Sequence, residues 1–511
     1  MQLIMRSAKF RQPIQRILLA ILCSMLFALL LVSCAEPAPP EIQFTECPFA
    51  GGYAHEIECG MMMVPEDRDQ KDRPMIEVHF AIIRSSNPDK APDPLVGLMG
   101  GPGVRSLDSI EYWEQLHNQA LINRDVIVLD QRGVGYSQPN LDCPEAEAPF
   151  YAIYAQDISM AEQNQHLIQA LKSCRDRLVE EGANLNAYTS AASAADVEDL
   201  RRALGYTEWN LYGGSYGTRW ALTVMRDFPQ GLRSVILEAV HPPQEDLFTG
   251  IGVNMQRALD LLFERCGADA ECHQAFPDLE GVFYETIEQL DAAPVTLSIR
   301  RPKDSQPYEI VINGDRFIRG FLDMLALTEV LPHLPGLIYE VHAGEWDSFA
   351  SMIRWTQFPF DELSEGLYFS VECGEEAPFS SPEALAANEA AVNPRLRSAM
   401  NSEAVYQICQ AWAVSPADAI ENRAVVSDIP TLILVGEHDP ITTPEWGRST
   451  AESLSQVQYL AFPGVSHGVL PLSLDGGKCS SSQIVEDFLE HPTSPVEASC
   501  VAEVPVLFGS D

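Results

Sequence analysis

The chain has 511 residues, 46% of them hydrophobic and 21% charged, with 33 Lys and Arg against 73 Asp and Glu and a formal charge of −40. This is globular composition, too apolar for a disordered chain and without the repeated long apolar spans of a polytopic membrane protein. The acidic excess excludes nucleic acid as a partner and electrostatic docking on anionic lipid headgroups, since both need a basic surface.

In chain order, residues 1–33 come first. They carry Arg6, Lys9, Arg11 and Arg16, no acid, and an apolar run from Ile17 to Ser33. This reads as a signal peptide, with an uncleaved anchor helix as the alternative; the run is short against the roughly 20 residues of a spanning helix. The end of the run, Leu31-Val32-Ser33-Cys34, resembles a bacterial lipobox, so Cys34 is expected to carry the lipid. Both readings put the remainder outside the cytoplasm. Residues 34–45, with Pro37, Pro39 and Pro40, read as an extended tether. Ala35 after the cysteine fits the outer-membrane sorting pattern, so the expected location is the periplasmic side of the outer membrane, lipid-anchored.

Setting aside Cys23 and Cys34, ten of the 12 cysteines remain. An even number in an exported chain suggests disulfides. Nearest-neighbour spacing pairs Cys47 with Cys59, Cys143 with Cys174, Cys266 with Cys272, Cys373 with Cys409 and Cys479 with Cys500. The chain contains no CxxC or HExxH motif, and no metal site is expected.

From residue 46 on, short β-branched runs alternate with helical stretches, an α/β pattern with a mostly parallel sheet. The clearest strands are 76–83, 95–99, 126–130, 209–212, 235–239, 431–435 and 457–461. A helix is expected from Ala191 to Gly205, where the glycine supplies the stop. The strand rhythm breaks after Pro243 and resumes near Pro430. The intervening residues read mainly as helices (253–266 and 382–392 among them), with a hairpin around 295–311. The expected organisation is therefore a core in two parts, 46–242 and 429–511, interrupted by a cap or lid at 243–428.

Gly213-Gly214-Ser215-Tyr216-Gly217 is a G-x-S-x-G motif between a strand and a helix. A serine on such a tight turn needs small neighbours, stands clear of the sheet edge and lies beside the N–H of the next residue. Ser215 is the expected nucleophile and Tyr216 N–H one oxyanion donor. A serine needs a base, and the base an acid, on turns after later strands. Asp439, in Gly436-Glu437-His438-Asp439-Pro440, and His467, in Gly464-Val465-Ser466-His467-Gly468, occur in the required order. Glu238 is a second candidate acid. Gly100-Gly101-Pro102-Gly103 follows a strand and offers the second oxyanion donor, Gly101, with Gly103 as the alternative. Asp130 to Ser137 is expected to brace the turn behind the site, without a catalytic role.

These motifs, with Val64-Pro65-Glu66-Asp67 and Gly436-x-x-Asp-Pro-x-Thr-x-Pro444, resemble the α/β-hydrolase exopeptidases. That group includes the proline iminopeptidases and the exported tripeptidyl-aminopeptidase-like proteins with a large cap. The resemblance covers most of 46–500 and is thin in the cap. It implies the α/β-hydrolase fold and a Ser215–His467–Asp439 triad that releases an N-terminal residue or short peptide through an acyl-enzyme. An exopeptidase also needs a carboxylate for the substrate's α-ammonium. Glu375, then Glu372, are the candidates, in Val371-Glu372-Cys373-Gly374-Glu375. A carboxylic-ester hydrolase on the same triad is the alternative, and a non-catalytic binding lipoprotein the third reading. Peptides are the expected partners, and no cofactor is expected.

Overall fold

The computed structural model describes residues 38–503 apart from 50, 71–73, 122, 302–303, 357–362, 401–402, 471–472 and 475–478. The leader 1–33 and Cys34 lie outside these residues. No helix among the described residues is long and apolar enough to cross a membrane.

Nine strands form one sheet. They are β1 (Ile42–Thr45), β2 (Ile57–Pro65), β3 (Met75–Ile83), β4 (Leu95–Leu98), β5 (Val126–Leu129), β6 (Trp209–Gly214), β7 (Leu232–Glu238) and, after a hairpin of β8 (Val295–Arg300) and β9 (Pro307–Ile312), β10 (Thr431–Gly436) and β11 (Val457–Phe462). Their order is β1-β2-β3-β5-β4-β6-β7-β10-β11. The pairs β1–β2, β2–β3 and β3–β5 are antiparallel, and all others are parallel. β4, β5 and β10 are buried along their whole length, as parallel strands covered by helices on both faces must be. Each strand expected from the sequence forms, with ends displaced by three residues at most. β1 and β2 were not among them. β1 is an exposed edge, and β2 reads Ile-Glu-Cys-Gly-Met-Met-Met-Val-Pro, poor in β-branched residues; its nine-residue ladder with β3 makes it a strand.

The helix over Ser190–Leu204 ends as expected at Gly205, which takes φ +79°. It starts at Thr189, whose hydroxyl accepts from the N–H of Ala192. Arg132 is fully buried behind the sheet end. It binds Asp196 through Nε and Nη2 (2.8 and 2.7 Å) and donates Nη1 to the carbonyls of Glu66 and Ala187 (2.7 and 2.9 Å), so this loop braces the strand ends. All five expected disulfides form.

Close packing sets one sharp constraint. A Cβ on Gly97, mid-β4, would lie 2.2 Å from the fully buried ring of Trp113. Gly97→Ala is expected to cost about 1–3 kcal/mol, the usual penalty of overpacking, read from the urea midpoint at unchanged slope.

Between β7 and β10 the chain is mainly helical, with the expected hairpin formed by β8 and β9. Much of this stretch has its own apolar core, around Leu259, Phe283, Phe317, Phe321, Leu337 and Phe349. The later helices Glu365–Val371 and Glu403–Trp412 behave differently. Leu367, Val371, Ile408 and Trp412 pack into the core of the sheet itself.

Candidate active site

The parallel strands deliver their carboxyl ends to one place. Gly100 follows β4, Ser215 follows β6, Glu238 ends β7, Asp439 follows β10 and His467 follows β11. Open α/β sheets bind ligands at such an edge.

Ser215 takes φ 54° and ψ −125°, a conformation costly for any residue but glycine. The turn is held by Ser215 N–H, which donates to the carbonyl of Glu238 (3.0 Å). The glycines two residues away on either side cannot carry side chains. A Cβ on Gly213 would lie 2.3 Å from the carbonyl oxygen of Gly217, and one on Gly217 2.0 Å from that of Leu98. The five-residue motif is thus a steric requirement of the turn. Helix Tyr216–Asp227 starts immediately after, so the N–H of Tyr216 is a first-turn donor with no carbonyl inside its own helix. In the Gly loop, Gly100 lies nearest the serine: its missing Cβ would sit 3.5 Å from Ser215 Oγ. Gly101 takes φ +107° ahead of a cis bond to Pro102. Gly103 N–H already donates to Gln131 Oε1 (3.4 Å), which leaves Gly101 as the freer of the two expected donors.

Asp439 is fully buried. Its Oδ1 accepts from the N–H groups of Ile441 and Thr442 (2.8 and 2.9 Å), and its Oδ2 accepts from Thr442 Oγ1 (2.8 Å). Oδ2 also lies 2.8 Å from His467 Nδ1. A carboxylate surrounded by donors can only accept, so Nδ1 carries the proton and Nε2 is left as the base. Burial pulls the His467 pKa down, but the Asp439 charge and hydrogen bond and the nearby Glu238 outweigh it and raise it above the ordinary 6.5. Ser215 Oγ and His467 Nε2 are not hydrogen-bonded to each other in this structure; such contacts commonly tighten only with substrate.

The loop carrying His467 is held from two sides. Glu238 Oε1 accepts from the N–H of Leu470 (2.9 Å) and of Val469. Above it, Ser466 N–H donates to Thr328 Oγ1 (3.0 Å), His467 N–H to the Ala326 carbonyl (3.1 Å), Thr328 Oγ1 to the Gly468 carbonyl (3.1 Å), and Ser466 Oγ to the Leu325 carbonyl.

A second polar cluster lies beneath the nucleophile helix. Glu372, Glu375 and Glu376 share one π turn and are all buried. Glu375 is committed: its oxygens accept from Ser190 N–H (2.6 Å) and Ser190 Oγ (2.5 Å), and Arg219 Nε lies 3.4 Å away. Glu376 pairs with Arg219 Nη1 and lies 3.3 Å from His241 Nε2. Burial raises the pKa of Glu376, but Arg219 and His241 bring it below 4.5. Glu372 is 1% exposed, and neither carboxylate oxygen has a hydrogen-bond partner among the described residues. Burial and the Glu376 charge push its pKa well above 4.5. Of the two acids expected to face a substrate ammonium, Glu372 is therefore the one with open valence.

Sequence reasoning missed Arg219, His241 and Glu376. A signal for Arg219 was present: it stands one helical turn after Ser215 in a helix otherwise rich in apolar residues, and a buried cation requires partners. Just before the π turn, Tyr368 and Phe369 line a cavity of about 330 Å³ together with Phe150, Tyr154 and Ile408.

Residues 93–286 match the family described as the alpha/beta hydrolase fold, and residues 396–500 match the family described as TAP-like protein. The serine protease Hip1 of Mycobacterium tuberculosis (strain H37Rv) is 23% identical over 461 residues, 86% of this chain and 87% of that protein. Carboxylesterase B of M. tuberculosis (strain CDC 1551) is 24% identical over 86% of each chain. The tripeptidyl aminopeptidase of Streptomyces lividans is 24% identical over 226 residues, 42% of this chain and 41% of that protein. Sheet order, strained serine turn and both family matches agree: the chain has the α/β-hydrolase fold, and its C-terminal part is similar to the TAP-like proteins.

Proposed function

We propose that the protein is a serine exopeptidase that releases an N-terminal residue or short peptide. The observation that carries the reading is the buried Asp439–His467 pair, set at the same sheet edge as a serine on a strained strand-to-helix turn. In this reading Ser215 Oγ attacks the scissile carbonyl while His467 Nε2 takes its proton. Asp439 holds the imidazole tautomer and stabilises the imidazolium. The N–H groups of Tyr216 and Gly101 receive the negative oxygen of the tetrahedral intermediate. Collapse breaks the C–N bond as His467 returns the proton to the leaving amine. Water then cleaves the acyl-enzyme by the same proton route. The chemistry needs no cofactor.

The exopeptidase part rests on Glu372. A buried carboxylate without donors holds either a proton or a cation. A substrate α-ammonium supplies that cation. We assign residues 243–428 the role of the cap that blocks longer chains. Cys34 is assigned the lipid, and the outer membrane, periplasmic side, the location; loss of metabolic lipid labelling in Cys34→Ser tests this.

The discriminating experiment is a panel of free and N-acetylated aminoacyl and tripeptidyl arylamides with simple acyl esters. Turnover of free arylamides alone supports the reading, and fragment length separates single-residue from tripeptide release. Turnover of esters alone supports the carboxylic-ester hydrolase. Glu372→Gln is expected to raise KM for free-amine substrates about 10- to 100-fold, the worth of one charge-assisted contact, and to leave ester hydrolysis within about twofold. The base must be neutral to act. kcat/KM is therefore expected to rise with pH through a midpoint above 6.5, the direction in which the His467 pKa is displaced, and to be lost below it.

A further inference from the structure

We infer that Glu238 is a positioning residue: its backbone holds the nucleophile turn and its side chain holds the base loop, so that this one residue sets His467 against Ser215. The inference rests on the serine-hydrolase reading above and extends it to a residue outside the triad.

Glu238 ends β7, between the strand that carries Ser215 and the strand that leads to Asp439. Its carbonyl accepts the N–H of Ser215 (3.0 Å). Its carboxylate accepts two consecutive N–H groups, Val469 and Leu470, directly after the His467 segment. The other carboxylate oxygen accepts from Tyr212 OH, and Tyr212 OH lies 3.3 Å from Tyr112 OH. Every hydrogen bond the side chain makes is therefore one it accepts, the pattern of a carboxylate, although burial outweighs these donors and His467 and raises its pKa above 4.5. Glu238 is 3% exposed, and an acid this buried is kept at a cost that a purely structural strand end would not require.

The groups around it can be enumerated. Tyr212 on β6, Tyr112 on helix Ile110–Ala120 and His467 on the loop after β11 face Glu238. Asp439 and the Thr442 hydroxyl face His467 from the loop after β10. Arg257, on helix Leu247–Ala268, donates to the Asp439 carbonyl (2.6 Å). Asp439 orients the imidazole from the Nδ1 side, and Glu238 fixes the backbone that carries it. It also places a second negative charge near the imidazolium that forms when the serine proton is taken.

Two substitutions separate anchoring from charge. Glu238→Gln keeps an amide oxygen for Val469 and Leu470 and removes the charge. Glu238→Leu removes both. The readout is the second-order rate at which a fluorophosphonate labels Ser215 across pH 5–9, because this reports the Ser–His pair whatever the natural substrate. Glu238→Gln is expected to lower the pH midpoint by about half a unit to one unit with a plateau rate within a few-fold of wild type. Glu238→Leu is expected to lower the plateau about 10- to 100-fold, the effect of roughly 1 Å of misplacement. Near-ultraviolet circular dichroism of each variant shows whether it has folded; if Glu238→Leu does not fold, Glu238→Asp, which keeps the charge but withdraws the carboxylate from Val469 and Leu470, takes its place with the same lowered plateau expected. A Gln profile superposed on wild type overturns the charge role, and a folded Leu variant with an unchanged plateau overturns the anchoring role. Failure of the wild-type protein to label at Ser215 instead sinks the serine-hydrolase reading itself.

Discussion

Ser215→Ala is expected to lower kcat/KM by about 10⁶-fold and to leave the thermal midpoint within a degree or two of wild type. The size follows from the way a triad works: serine, histidine and acid act as a unit, and removing the nucleophile forfeits nearly all that the unit supplies. What remains over the uncatalysed rate comes from the oxyanion donors and binding. The small effect on stability follows from the backbone. Ser215 holds φ 54° because Glu238 and the neighbouring glycines hold it there, and the hydroxyl makes none of those contacts. Ser215→Gly sharpens the test. Glycine adopts this conformation without strain, so this variant is expected to be inactive and about 1 kcal/mol more stable than Ser215→Ala. Steady-state assays on the arylamide panel and urea titrations measure both.

The second large effect is on stability. Arg219→Met is expected to cost about 3–5 kcal/mol, because it leaves the carboxylates of Glu375 and Glu376 buried without their cation. Lys is not an adequate replacement. Arg219 also donates to the Glu421 carbonyl (2.9 Å), and one ammonium cannot reproduce the spread of a guanidinium. Adding Glu376→Gln to Arg219→Met removes one of the stranded charges and is expected to recover part of the loss. Urea unfolding of the two single variants and the double variant measures the coupling. Full stability of Arg219→Met would mean that the cluster is neutral in the folded protein.

How much of this was legible in the sequence depended on whether the signal was local. β4, β5 and β10 are short apolar runs bounded by turns, and their burial is written in four to six consecutive residues. Ser215, Asp439 and His467 each follow such a strand, so strand order alone brought Asp439 and His467 together and set Ser215 at the same edge. The disulfides were readable because each joins near neighbours, the widest spanning 36 residues. β2 was not readable, since its partner strand rather than its composition makes it a strand. Nor was the pairing of Arg219 with Glu375 and Glu376, 156 and 157 residues away. Glu375 and Glu372 differ by three positions and look alike in sequence. Only the packing reveals that Ser190 occupies the first and leaves the second open.

The four hydrogen bonds between Leu325–Thr328 and Ser466–Gly468 join the end of the helix Gly314–Leu325 to the loop that carries His467. A displacement of that helix end would either break all four or carry His467 with it. Breaking them leaves His467 to Asp439 and the Glu238 anchor alone, whereas carrying the loop along withdraws the imidazole from Asp439. The stretch 325–328 and the His467 loop therefore move as one mechanical unit, and a displacement of either is felt by the other.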